Sequence, residues 1–143
     1  KNSSEWEEKL KALPKNQPLA VIEQTTFPRQ QYLEFCQLIE EKNLLNHCLI
    51  ENTICPETEH RQSELFSLLQ TGKIDVVLIL GGKHSSNTRG LYLVAKDQAP
   101  HTIWIEDSNE AQKSWFHPDQ TILIVSGAST PDREVKELVE KLQ

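Results

Sequence analysis

Apolar and polar positions along this chain fall into blocks whose period switches between that of a buried strand and that of a helix. Residues 76–80, Val-Val-Leu-Ile-Leu, are five consecutive apolar positions. They predict a strand covered on both faces, as in a parallel sheet with helices on either side. Shorter apolar runs at 19–23, 46–50, 102–105 and 121–125 predict four more strands. Between the runs, apolar residues recur at helical spacing. Tyr32, Phe35, Cys36 and Ile39 fall at i, i+3, i+4 and i+7 in a helix that starts at Pro28. Leu65, Leu68 and Leu69 mark the inward side of a helix that stops at Gly72. Leu91, Val94 and Ala95 share one face of the next. Val135, Leu138, Val139 and Leu142 share one face of the last, with Thr130 as its predicted N-cap and Pro131 as its first residue.

Two shorter helices are signalled by their starts. Ser4 with Glu7 reads as a capping box ahead of Trp6, Leu10 and Leu13, with Pro14 just beyond. Asp107 with Glu110 opens a brief helix that ends near Trp115. Strands alternating with helices predict an α/β fold, a mostly parallel sheet flanked by helices and built from βαβ units.

In such a sheet every strand-to-helix loop lies at the carboxyl edge, where ligands bind. Four of these loops are rich in hydroxyl and amide groups: Gln24-Thr25-Thr26, Asn52-Thr53-Ile54-Cys55, Ser85-Ser86-Asn87-Thr88 and Ser126-Gly127-Ala128-Ser129-Thr130. Free backbone N–H groups and the positive end of a helix suit an anion there. Ser, Thr and Asn also favour helix caps with no ligand at all. For one loop taken alone, capping is the commoner reason. Four such loops on one edge, with a cysteine among them, give the anion reading equal weight. The loops form neither a Walker motif nor a dinucleotide fingerprint, since Gly81-Gly82-Lys83-His84 lacks the required glycine and lysine spacing.

Composition narrows the picture. The 143 residues make about one domain and can bury a real core. A net charge of −6 argues against a broad nucleic-acid surface. No apolar run approaches the roughly 20 residues of a membrane span, and no signal-peptide pattern is present. Three cysteines without zinc spacing point to a reducing, cytoplasmic setting. The chain begins with Lys1 and contains no Met, the pattern of a piece of a longer protein. Cys36 and Cys48 read as small core residues. Cys55 follows a strand and precedes a helix start, where a thiolate is favoured and a metal can be reached. None of the five histidines forms a metal-spaced pair, and Lys83 and His84 read as solvated loop residues. Trp6, Trp104 and Trp115 read as packing residues.

Asn52-Thr53-Ile54-Cys55 with Thr58, Arg61 and Gln62 resembles the third-cysteine motif of the LytB/IspH family of hydroxymethylbutenyl diphosphate reductases. Gln24-Thr25-Thr26, residues 81–88 and Gly127-Ala128-Ser129-Thr130-Pro131 are similar to other motifs of that family, in the same order and at similar spacing. The resemblance covers residues 19–143, the carboxyl-terminal portion of the family's chain. It implies a three-domain α/β architecture around a central [4Fe–4S] cluster. It implies reductive removal of the hydroxyl of hydroxymethylbutenyl diphosphate to give isopentenyl and dimethylallyl diphosphate, in the non-mevalonate pathway of isoprenoid synthesis. Under it, residues 1–50 belong to a preceding, partial α/β domain and residues 51–143 form the carboxyl-terminal domain. Cys55 becomes one of three cluster ligands, the others being missing from this chain. Ser85, Ser86, Asn87 and Ser129 hold the diphosphate, and Thr25 lies near the substrate hydroxyl as a catalytic group. The implied partners are the allylic diphosphate and an electron donor such as ferredoxin or flavodoxin, with no nucleic acid and no membrane.

The departures are equally specific. The family's first two cluster cysteines, its diphosphate-binding histidines and the glutamate of its His-Pro-Glu segment have no counterpart here. His84 stands where the family often has Asn, and Pro56-Glu57 replaces the usual residues after the cysteine. The chain is therefore expected to be inactive alone. The alternative is a stand-alone phosphate- or diphosphate-binding module that has lost the redox chemistry.

Overall fold

The computed structural model describes residues 2–14, 18–43, 48–99 and 101–143. Its elements run α1 (Asn2–Lys11), β1 (Leu19–Ile22), α2 (Arg29–Glu41), β2 (Cys48–Glu51), α3 (Pro56–Leu69), β3 (Val76–Leu80), α4 (Ser86–Gln98), β4 (Thr102–Ile105), β5 (Ile122–Ser126) and α5 (Asp132–Leu142). Two 3-10 turns, Ser108–Glu110 and Lys113–Trp115, lie between β4 and β5. The α/β class is as the alternation predicts, and every pairing among the described residues is parallel. The strands divide into two sheets, β1–β2 and β4–β3–β5.

The second sheet is the better buried. All five residues of β3 are covered, each 0–1% exposed. Val77 and Ile79 meet Leu65 and Leu69 of α3 and Leu91 and Ala95 of α4. Leu78 and Leu80 meet Ile105, Ala111 and Leu138 of α5 on the opposite face. Fully burying each such side chain contributes about 1.5–3 kcal/mol, so this three-layer stack anchors the molecule. The first sheet is covered on one face only. Leu19, Val21, Cys48 and Ile50 turn inward, while Ile22 and Leu49 are 73% and 60% exposed.

Several boundaries differ from expectation. α1 begins at Asn2, so Ser4 sits inside the first turn rather than at its cap. β2 covers Cys48–Glu51, and the expected start at Asn46 lies outside the described residues. Leu68 is 41% exposed, because α3 turns its 58, 62, 65, 69 stripe inward. β5 is shifted one residue onward, to Ile122–Ser126. The brief helix after Asp107 is two 3-10 turns, although the Asp107–Glu110 capping box is real. α5 has Pro131 at its N-cap, because the Thr130 hydroxyl donates to the Leu80 carbonyl (3.2 Å) instead of capping the helix.

Cys36 and Cys48 are half-buried rather than core residues, and both are free. Burial, and then a hydrogen bond with Cys36, push Tyr32 up to about 12 from its ordinary value of 10.0. A raised value means the fold favours the protonated phenol. That contribution is complete below pH 10 and is lost as pH rises through about 12. In Tyr92→Phe protein, ultraviolet difference absorbance is expected to show the remaining tyrosine ionising near pH 12. Ionisation near pH 10 in the folded protein would contradict this environment.

Candidate functional site

The four hydroxyl-rich loops occupy the carboxyl ends of β1, β2, β3 and β5. Hydrogen bonds and close packing tie them in two pairs, and a third set of contacts ties the pairs together. In the first pair, the Cys55 backbone N–H donates to the Thr25 carbonyl (2.8 Å). Thr53 braces that junction: its N–H donates to Glu23 Oε2 (3.1 Å), and its hydroxyl accepts from the Glu23 N–H (2.8 Å). Asn52 folds over its own loop, Oδ1 accepting from the Ile54 N–H (3.0 Å). Cys55 is the N-cap residue of α3, with Pro56 at the first helical position and Glu57 and Glu59 in the first turn. It is half-buried and free, and Thr25 stands exposed beside it.

In the second pair, Thr88 is the wedge. It is 1% exposed, and a Cβ added at Gly81 would lie 2.8 Å from its hydroxyl oxygen. A Cβ at Gly127 would overlap the same oxygen. The glycines let the loops after β3 and β5 close on α4, as a bulkier backbone position could not. Ser85 caps α4, its Oγ accepting from the Thr88 N–H (3.3 Å). A hydroxyl that accepts one bond still has its own proton to donate, so capping and anion binding coexist at Ser85. Ser86 and Ser129 are exposed, and Asn87 is half-buried. Both amide atoms of Asn87 are inaccessible and without a hydrogen-bond partner. An orphaned buried amide costs about 1–3 kcal/mol. Lys83 stays in solvent, its backbone N–H donating to Glu106 Oε1 (2.7 Å). Trp104 packs on Tyr92 and donates from Nε1 to the Gly81 carbonyl (2.7 Å), fixing the start of the loop.

Gln62 joins the two pairs. Its Oε1 accepts from the Arg29 N–H (2.8 Å), one of the otherwise unsatisfied donors at the start of α2. Its Nε2 faces Gly90 of α4, where an added Cβ would lie 2.9 Å from that nitrogen and 3.4 Å from the Thr26 carbonyl. Arg29 Nε also donates to Glu59 Oε1 (2.6 Å). The sequence reading placed Gln62 only within a motif. A better signal lay in its spacing, since Thr58 and Gln62 continue the Leu65–Leu69 stripe at i−7 and i−3 from Leu65.

The fit to a metal cluster is partial. Cys55 offers one accessible thiol at the edge, but the described residues contain no group of three or more His, Cys, Asp or Glu able to hold a metal. Cys48 begins β2 and Cys55 follows its far end, so the length of the strand separates these two cysteines.

Two parallel sheets, a hydroxyl-lined carboxyl edge with an orphaned amide, and a thiol at a helix start define an α/β protein of parallel βαβ units with a polar edge. The chain belongs to the LytB protein family, whose model matches residues 2–143. It is 39% identical over 139 residues to the 4-hydroxy-3-methylbut-2-enyl diphosphate reductase of Dictyoglomus thermophilum, covering 97% of this chain and 47% of that protein. It is 35% identical over 136 residues to the enzyme of the same name from Helicobacter hepaticus, covering 95% and 48%. A solved structure of (E)-4-hydroxy-3-methyl-but-2-enyl diphosphate reductase matches with 34% identity and a TM-score of 0.58, over 90% of this chain and 44% of that one. The Plasmodium falciparum reductase structure, at 22% identity, shares the fold with a TM-score of 0.81, over 93% and 42%. The chain thus spans about half the length of the curated relatives it matches.

Proposed function

We propose that this chain is the carboxyl-terminal portion of a hydroxymethylbutenyl diphosphate reductase of the non-mevalonate isoprenoid pathway. The reading rests on the LytB family match together with the orphaned Asn87 amide at the hydroxyl-lined edge. We read residues 1–50 as part of a preceding α/β domain and 51–143 as the carboxyl-terminal domain. The two separate sheets, and the packing of α3 on β3 and α4, support that division.

In this reading Ser85, Ser86, Asn87 and Ser129 hold the diphosphate. Their hydroxyl protons and the free N–H groups of the first turn of α4 donate to its oxygens, and the Asn87 Nδ2–H groups join them once the side chain turns out of its buried position. Thr25 stands near the substrate hydroxyl, where its own hydroxyl passes a proton toward the departing oxygen. Cys55 supplies one of three thiolates to a [4Fe–4S] cluster, the other two coming from the portion of the family's chain not present here. When bound, that cluster supplies electrons and a Lewis-acidic iron. Removing the hydroxyl consumes two electrons and two protons and releases water. The electrons come from a donor such as ferredoxin or flavodoxin, in the cytoplasm. No helix among the described residues is long and apolar enough to cross a membrane.

The test is titration of the chain with inorganic pyrophosphate, followed through backbone amide signals in NMR. Shifts are expected at Ser86, Asn87 and Ser129. Asn87→Ala is expected to weaken binding about tenfold or more, the loss of one hydrogen bond to a charged group. Absence of binding, or binding indifferent to Asn87→Ala and Ser86→Ala, would overturn the proposal.

A further inference from the structure

Because the two sheets share no strand pairing, the distance between the Cys55–Thr25 edge and the Ser86–Asn87 edge is set by a seam of helices. α3 carries Cys55 at its N-cap and α4 carries Ser86 and Asn87 in its first turn. α2 begins directly after the loop that carries Thr25. Gln62 is the residue at which these three elements meet. It is 2% exposed, the Arg29 N–H at the start of α2 donates to its Oε1, and its Nε2 lies against Gly90 of α4. That nitrogen is buried and has no partner. A long polar side chain placed where Leu or Met would fill the same volume costs stability unless its amide is needed for a defined arrangement.

We propose that Gln62 is a positioning residue, which fixes the thiol edge against the diphosphate edge so that one ligand spans both. The proposal rests on the reading of the two edges as one site. Gly90 is its counterpart on α4, since only a position without a Cβ lets the Gln62 amide approach that helix. Gln62 itself touches no substrate in this arrangement. It acts by holding the Thr25 loop, α3 and α4 in register, and a register error of about 1 Å is enough to cost a site much of its function.

The coupling between the edges can be read without turnover. In protein carrying Cys36→Ser and Cys48→Ser, Cys55 is alkylated with iodoacetamide in the absence and presence of saturating hydroxymethylbutenyl diphosphate, the ligand that spans both edges in this reading. The bound ligand is expected to slow alkylation about tenfold when the edges are in register. Inorganic pyrophosphate, which lacks the part that reaches Cys55, is expected to protect little. In Gln62→Met the ligand is expected to bind through Ser86 and Asn87 with little change in affinity, yet to protect Cys55 hardly at all. Gly90→Ala, which pushes the amide away from the α4 side, is expected to behave the same way. If the ligand binds unsubstituted protein without protecting Cys55, or still protects Cys55 fully in both variants, Gln62 sets no register between the edges and the proposal falls. If circular dichroism shows both variants unfolded, Gln62 is needed for folding rather than register, and the proposal falls as well. If unsubstituted protein binds no pyrophosphate, it is the reading of the diphosphate edge that fails, and the register role goes with it.

Discussion

Gly81→Ala is expected to lower the free energy of unfolding by about 3 kcal/mol, combining left-handed backbone strain with overpacking. Gly81 has φ +150°, and its added methyl would lie 2.8 Å from the Thr88 hydroxyl and 3.0 Å from the Thr130 hydroxyl. Neither neighbour can yield cheaply. Thr88 is 1% exposed between two loops, and the Thr130 hydroxyl donates to the Leu80 carbonyl. Gly72 is the built-in control, with φ +67° and nothing within 4 Å of its missing methyl. Gly72→Ala incurs the backbone term alone, about 1 kcal/mol. Urea unfolding of the two variants at equal m-values checks the difference. Equal losses would show that the Thr88 wedge carries no strain. The wedge also predicts that Gly81→Ala weakens pyrophosphate binding, since the loop it lifts carries Ser85.

The isolated chain, reconstituted anaerobically with iron and sulfide, is expected to show no reductive turnover of hydroxymethylbutenyl diphosphate above background. A cubane cluster needs three protein thiolates and a closed surround. The described residues contain no group of three or more His, Cys, Asp or Glu able to hold a metal, so Cys55 lacks a full ligand set. Any iron the chain does retain at this edge is expected to be lost in Cys55→Ser and kept in the Cys36→Ser, Cys48→Ser double variant. Iron content by absorbance, together with product analysis, reads both results. Full turnover by the isolated chain would refute the half-site reading. Iron held equally well without Cys55 would remove that residue from the ligand set.

Much of this was legible in the residues because strong signals are local. The five apolar positions of β3 have no competing periodicity, and their burial follows directly. Caps at Ser85 and Asp107 announce themselves by their partners three residues on. The apolar pattern does not show the two-sheet division, which only the family resemblance suggested, because which strands pair is decided by contacts between residues far apart in the chain. The same is true of Thr130, whose hydroxyl chose a carbonyl 50 residues away over its own helix. At the candidate site the hydroxyl loops were visible as composition. Their mutual contacts through Thr88, Gly90 and Gln62 depend on shape, which a one-dimensional pattern does not record.

The unequal burial of the two sheets sets an order of opening for the native molecule. β1 and β2 expose Ile22 and Leu49 on a bare face, while β3 is sealed between layers. Local unfolding follows the weakest packing. Amide hydrogen exchange is therefore expected to be faster in β1 and β2 than in β3, while the Cys55 N–H bond to the Thr25 carbonyl ties the Thr25 loop to α3. The edge bearing Ser86 and Asn87 is carried by the strand whose amides are expected to exchange slowest, β3.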